Sequence, residues 1–146
     1  MVFNRNRQPN TMTTPHALAL IIRPSPIHGQ GLFTTKRIPR RMKLGELSGV
    51  LRPRRESVKA QQKREVMQIV EISQRWALDC TKGNDFRVLN HSCQANCYLR
   101  LANRRVEIYS RGPISAGKEL TVDYRETMHP GGMGCRCGVP GCRSRL

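Results

Sequence analysis

Arg87-Val88-Leu89-Asn90-His91-Ser92-Cys93-Gln94-Ala95-Asn96-Cys97 crowds amide, imidazole, hydroxyl and thiol groups directly behind an apolar pair. The stretch has neither a helical nor a strand period. Asn and His can serve a buried turn simply by bonding to backbone, but two Asn and a His beside a thiol read as a built site. Its flanks are β-like. Residues 75–80 (RWALDC) form a short extended run that turns through Gly83-Asn84. Residues 98–101, 105–110 and 119–124 alternate apolar and polar positions, with Gly112-Pro113 and Gly117 between the last two, and read as strands.

Downstream, Cys135-Arg136-Cys137-Gly138-Val139-Pro140-Gly141-Cys142 is a C-x-C-x4-C element whose Gly and Pro turn lets three sulfurs converge. A structural zinc takes four ligands in a tetrahedron, so three thiolates leave one position open. Cys93, Cys97, Cys80 or a histidine could fill it. Free or disulfide-linked thiols are the competing reading, but cysteines two apart bridge poorly. The one early apolar stretch, residues 17–22, is too short for a secretory h-region, so the chain is expected to be intracellular and reduced. Arg136, Arg143 and Arg145 would offset the charge of a four-thiolate site.

Upstream, His28-Gly29-Gln30-Gly31-Leu32-Phe33 follows the strand-like run at residues 17–23 and leads into a second extended segment. It lacks the third glycine and helix of a dinucleotide fingerprint and the Gly-Lys-Ser/Thr of a phosphate loop, so by itself it is a hairpin turn. Glycines there would let backbone approach a small molecule closely. Residues 43–52, broken by Gly45 and Gly49, suit short strands. Residues 56–74 contain no Gly or Pro and space Val66, Ile69, Val70 and Ser73 three and four apart, which predicts a helix. Residues 1–15 are expected to be a flexible polar arm and residues 128–134 a linker.

The 146-residue length fits one domain. No apolar run approaches the roughly 20 residues of a membrane span, so no membrane partner is expected. A formal charge of +16 points to DNA or another polyanion, although Arg40-Arg41, Arg52, Arg54-Arg55, Lys63-Arg64 and Arg104-Arg105 could equally be a solvated surface. No aromatic residues interleave with these clusters, which argues against single-strand stacking. Glu46, Glu107 and Glu126 are the acids that could line a groove for a basic substrate.

No one of these motifs is decisive, but their order is. H-G-Q-G-L-F, then R-V-L-N-H-S-C-Q-A-N-C, then G-K-E-L-T-V-D-Y, then C-R-C-G-V-P-G-C resembles the SET-domain family of protein lysine methyltransferases. The resemblance implies a mainly β SET-domain β-clip fold with a pseudoknot, one short helix in the insert and a C-terminal zinc-bound post-SET segment. It divides the chain into an arm (1–15), a SET domain (16–127) and a post-SET element (128–146), with no cysteine-rich module before them. It also implies S-adenosylmethionine as cofactor, held by Gly29, Gln30, Gly31, Leu32, Asn90, His91 and Tyr124, with Tyr124 at the methyl-transfer centre. Cys93 joins Cys135, Cys137 and Cys142 on zinc, leaving Cys80 and Cys97 as buried thiols. The implied substrate is a protein with an accessible lysine, with histones and other basic DNA-associated proteins as the candidate class.

This chain departs from the family pattern at three places. Leu47-Ser48-Gly49 stands where Tyr-x-Gly is common, Ala95 replaces a Pro, and Val122 occupies a position often held by Phe or Tyr. Leu47 and Val122 support a competing reading, a catalytically weak, zinc-stabilised module that binds DNA or a partner. Asn90, His91 and Tyr124 together favour the enzyme.

Overall fold

The computed structural model describes residues 18–61, 68–126 and 134–145. The expected arm and nearly all of the expected linker lie outside the described residues. Among the described residues ten short strands form three small sheets, accompanied by one helix and two 3-10 turns. β1 (Leu20–Pro24), β2 (Gln30–Thr34), β10 (Glu119–Val122) and β7 (Asn90–His91) make the first, in the order β1-β2-β10-β7. β3 (Lys43–Leu47), β9 (Arg105–Ser110) and β8 (Cys97–Ala102) make the second, in the order β3-β9-β8. β4 (Val50–Pro53), β6 (Trp76–Asp79) and β5 (Ile69–Glu71) make the third, in the order β4-β6-β5, with α1 (Arg54–Gln61) following β4.

The first sheet brings distant sequence together. β2 turns back on β1 as an antiparallel hairpin, while β10 pairs antiparallel with β2 at Leu120↔Leu32 and parallel with β7 at Thr121↔Asn90 and Val122↔His91. Asn96 clamps the same junction. Its Nδ2 donates to the Glu119 carbonyl at 2.7 Å and its Oδ1 accepts the Thr121 N–H at 2.9 Å. The implied pseudoknot needs this meeting of the segment around Asn90 with the segment around Val122. Leu32, Ile38, Ile108 and Leu120, each at most 1% exposed, form the centre of the main core beneath it. A second cluster of Val70, Leu78, Cys80 and Val106 sits under the third sheet.

Two expectations need correction. Of the helix predicted over residues 56–74, residues 62–67 lie outside the described residues, the helix described is Arg54–Gln61, and Ile69–Glu71 is a strand paired with β6. Consecutive Ile69 and Val70 are both buried, at 0% and 5% exposed. A helix would turn one neighbour outward, whereas a strand covered on both faces buries both, and β-branched side chains suit the pleat. The strand expected over residues 119–124 stops at Val122, and Tyr124 opens a 3-10 turn. The Tyr124 N–H is drawn out of the ladder by the His91 ring, as described below.

The core position of Ile108 gives a direct test. Ile108→Ala is expected to lower unfolding stability by about 2–5 kcal/mol, measured by urea denaturation. A loss below about 1 kcal/mol would mean that β9 is not central to this core.

Candidate active site and thiol cluster

The glycine loop is built before anything binds to it. The Ser25 N–H donates to the Gly29 carbonyl at 2.8 Å, and Gly29 takes φ +48°, a left-handed conformation that glycine adopts freely. At Gly31 a side chain would collide with the Glu119 carboxylate. That carboxylate accepts the Ser25 hydroxyl at 2.8 Å and the Asn90 Nδ2 at 2.8 Å. Asn90 Nδ2 also donates to the carbonyls of His28 at 3.0 Å and Gln30 at 2.9 Å. Buried Asn90 is therefore a bracket on the loop, which leaves Gly29 and Gln30 exposed on its outer side. Leu32 does not join that surface. It is fully buried and pairs with Ile22 on one side and Leu120 on the other.

His91 is the next residue of β7, so its side chain projects from the opposite face of the strand. Its Nδ1 accepts the Tyr124 N–H at 3.0 Å, and its Nε2 lies 3.4 Å from Cys93 Sγ. An Nδ1 that accepts an N–H places the ring proton on Nε2, pointing at the sulfur. The Tyr124 phenol packs 5.4 Å from the His91 ring and donates its hydroxyl to the Leu89 carbonyl at 2.9 Å. Burial, with the Glu119 charge adding to it, pushes the phenol well above its ordinary value, so it stays protonated at neutral pH.

Tyr124 lines a cleft of about 30 Å³ with Leu47, Val70, Phe86, Leu89, Leu99 and Val122, room for little more than one water. Cys80 is part of this wall, and burial pushes its thiol up to about 12, so it adds no charge. Gln68 and Arg87 are the polar members. The two departures noted at Leu47 and Val122 thus meet in one apolar slot. Gly45 shapes it too, since a Cβ there would strike the Phe86 ring.

The C-terminal chain wraps its thiols around a point next to this slot. Gly138 and Gly141 adopt φ +66° and +72°, and the Cys135 N–H bonds the Ser144 carbonyl at 2.9 Å to close the element. Cys93 Sγ lies 3.7 Å from Cys135 Sγ and 3.9 Å from Cys142 Sγ, and Cys137 Sγ lies 3.6 Å from Cys142 Sγ. Four thiolates at about 2.3 Å from a tetrahedral zinc stand about 3.8 Å apart, so the donor set fits that ion. His91 Nε2 is also near the sulfurs of Cys93, Cys135 and Cys137, but a proton on Nε2 makes it a donor to sulfur and not a ligand. Backbone N–H groups of Arg143 and Ser144 point at Cys93 and Cys142, both at 3.4 Å.

Two of the thiols, Cys93 and Cys137, lean toward thiolate. Burial raises Cys93, but the hydrogen bonds from Arg143 and His91 outweigh it and bring the thiol to about 7. Backbone and thiol hydrogen bonds likewise outweigh burial at Cys137, which falls to about 6. Cys135 is pushed up by burial and by its thiol neighbours. Cys97 stands apart, fully buried and raised to about 12.

The expected residues thus gather around one strand, with Leu32 set back in the core. Sequence reasoning missed Ser25, Glu119, Asn96 and the Arg143–Asp123 pair, whose guanidinium–carboxylate contact of 2.9 Å ties the thiol element to the residue before Tyr124. None carries a local signal, because each acts on a partner more than 19 residues away. The thiol geometry predicts about one tightly held zinc per chain in protein prepared under reducing conditions, read by elemental analysis. Cys137→Ser should lose it, and a wild-type chain with no metal and undiminished thermal stability would reject the site.

A sequence profile of the SET domain matches residues 29–125. Histone-lysine N-methyltransferase set-2 of Caenorhabditis elegans is 35% identical over 132 residues, which is 84% of this chain and 9% of that protein. The "Histone-lysine N-methyltransferase, H3 lysine-4 specific" of Schizosaccharomyces pombe is 34% identical over 133 residues, 84% of this chain and 14% of its own length. Histone-lysine N-methyltransferase SETD1 of Drosophila melanogaster is 36% identical over 83 residues, 53% of this chain and 5% of that protein. The chain spans a small part of each. With the profile covering most of the sequence and the motifs gathered around β7, the chain belongs to the SET-domain family.

Proposed function

We propose that this chain transfers a methyl group from S-adenosylmethionine to the ε-amine of a protein lysine. The observation that carries the reading is the placement of a neutral, hydrogen-bonded Tyr124 hydroxyl in a narrow apolar slot, one strand residue away from a bracketed glycine loop. In this reading Gly29, Gln30 and Gly31 offer backbone to the cofactor, Asn90 fixes their geometry, and Leu32 supports them from the core. His91 sets the Tyr124 turn. Cys93, Cys135, Cys137 and Cys142 hold zinc, which anchors His91 through Cys93.

Lysine has a reference pKa of about 10.4, and only its neutral amine can attack a methyl group. A slot walled by Leu47, Val70, Leu89 and Val122 desolvates the ammonium and so favours the neutral form. When bound, S-adenosylmethionine supplies the activated methyl, and its positive sulfur adds to that preference. Tyr124 is a poor base, because its phenol titrates far above neutrality. Its proton is committed to the Leu89 carbonyl, so the hydroxyl oxygen can accept an amine N–H and aim the lone pair. The amine proton leaves to water.

Leu47 and Val122 keep the slot apolar, so their departure from aromatic residues preserves the desolvation that the chemistry needs. The binding-module alternative therefore gains little from them. Among the described residues no helix is long and apolar enough to cross a membrane. The names of the relatives make histone tails the first substrates to try, and the Schizosaccharomyces pombe relative directs attention to H3.

Incubation with labelled S-adenosylmethionine and H3 peptides or mixed basic proteins should label lysine. Tyr124→Phe is expected to lower kcat about a hundredfold or more while the cofactor Kd from calorimetry changes less than about threefold. Unchanged turnover would remove Tyr124 from the mechanism. Asn90→Ala should instead weaken cofactor binding by about tenfold, through the loop it brackets. A chain with no measurable affinity for the cofactor would sink the proposal.

A further inference from the structure

The end of the first sheet remote from Tyr124 carries a charge pattern that methyl transfer does not use. Residues 34–42 (TTKRIPRRM) and 110–118 (SRGPISAGK) contain six cationic side chains and no Asp or Glu. The two loops are one rigid plate. Ile38 and Ile114 bridge them and are 1% and 3% exposed, so both act as buried pegs. Backbone bonds add Thr34 N–H to the Lys118 carbonyl at 3.0 Å, Gly117 N–H to the Thr34 carbonyl at 2.6 Å and Arg41 N–H to the Ser110 carbonyl at 3.1 Å. Arg23 joins the plate's edge, donating to the Gly117 carbonyl at 3.1 Å and lying 3.9 Å over the Phe33 ring.

Arg23, Lys36, Arg37, Arg40, Arg41 and Lys118 are all exposed, and none pairs with a described acid. Most of the described acids meet other cations. Glu46 and Glu107 meet Lys43, Arg100 and Arg105, Asp79 meets Arg52, Glu71 meets Arg54, and Asp123 meets Arg125 and Arg143. Glu119, adjacent in sequence to Lys118, turns inward to Ser25 and Asn90. Other exposed cations such as Arg55, Lys59, Arg75 and Lys82 also lack a described acid, and what sets this group apart is that backbone bonds between two loops hold it in one array. Arg41 adds a second sign. It sits at φ +57°, where glycine is at ease and a side chain is strained, yet the position holds an exposed cation with no acidic partner.

The chemistry of the plate selects its ligand. It has no exposed aromatic residue on which bases of a single strand could stack, and its two loops, residues 34–42 and 110–118, carry no exposed large apolar side chain to anchor a protein interface, the exposed Ile21 and Ile22 lying on β1 beside Arg23 at the edge. What remains is a fixed array of point charges and guanidinium forks, suited to regularly spaced phosphates. We propose that Arg23, Lys36, Arg37, Arg40, Arg41 and Lys118 form a docking plate for the sugar-phosphate backbone of double-stranded DNA, without base specificity. The plate flanks the Glu119 end of β10 and Tyr124 follows the other end, about 15–20 Å along the chain. Bound DNA would therefore leave the slot open to a lysine, and docking needs no methyl transfer.

The test is anisotropy of a labelled mixed-sequence duplex with the full, metal-loaded chain across a salt series. The variant K36Q/R37Q/R40Q/R41G is compared with R55Q/K59Q/R75Q/K82Q, which removes the same charge from exposed positions elsewhere. The plate variant should lose about tenfold or more in affinity, and its log–log salt slope should shrink by about 3–4, against less than about 1 for the control. Both variants should keep the wild-type rate on a free peptide, so a failed methyltransferase reading would leave the DNA result standing. Equal losses in the two variants would overturn the plate. Displacement of the duplex by polyglutamate at equal charge concentration would also overturn it, in favour of an acidic protein ligand. Arg41→Gly alone should weaken DNA binding while leaving Tm unchanged or higher; a lower Tm would assign Arg41 to the fold and remove it from the plate.

Discussion

The parallel pairing of the two-residue strand Asn90–His91 with Thr121 and Val122 is the contact on which the molecule depends. A strand sends alternate side chains to opposite faces. Asn90 therefore reaches the glycine loop while His91 reaches Tyr124 and Cys93. One short ladder holds the proposed cofactor loop, the slot and the thiol cluster in fixed relation, and Asn96 locks its register from the other side. A slip of one residue would exchange the two faces and separate all three features.

This arrangement explains why a chain with few aromatic residues can still build a reactive slot. Precision comes from hydrogen bonds to buried groups, which are held because leaving them unpaired would be costly. Tyr124 has its backbone N–H fixed by His91 and its hydroxyl fixed by the Leu89 carbonyl. The thiol element closes the same circuit through Cys93 and through Arg143 on Asp123. A metal bound there would stabilise the position of Tyr124 without touching the reacting atoms.

Charge is distributed with a comparable division of labour. Acids on β6, on β9 and directly before Tyr124 neutralise Lys43 on β3, Arg52 on β4, Arg100 on β8 and Arg143 of the thiol element. Lys36, Arg37, Arg40, Arg41 and Lys118, on the loops bridged by Ile38 and Ile114, meet no described acid. Slot and plate occupy opposite ends of β10, so a cationic surface need not repel a basic substrate from the slot.

Much of this was legible in the amino-acid sequence, for local reasons. Period-two patterns announced β8 and β9, glycine and proline placed the turns, and the C-x-C-x4-C spacing announced convergent sulfurs, because each depends on neighbours a few residues apart. The order of the motifs also determined the family. Where sequence misled, burial from distant segments overrode the local period. Ile69 and Val70 read as one helical stripe until β6 and the core covered both, and Tyr124 read as a strand end until His91 captured its N–H. The roles of Ser25, Glu119 and Asn96, the pairing of Arg143 with Asp123, the meeting of Leu47 with Val122, and the assembly of two cationic loops into one array were settled by tertiary structure alone. These are relations between residues far apart in the chain, and a linear pattern holds no record of which face each will share.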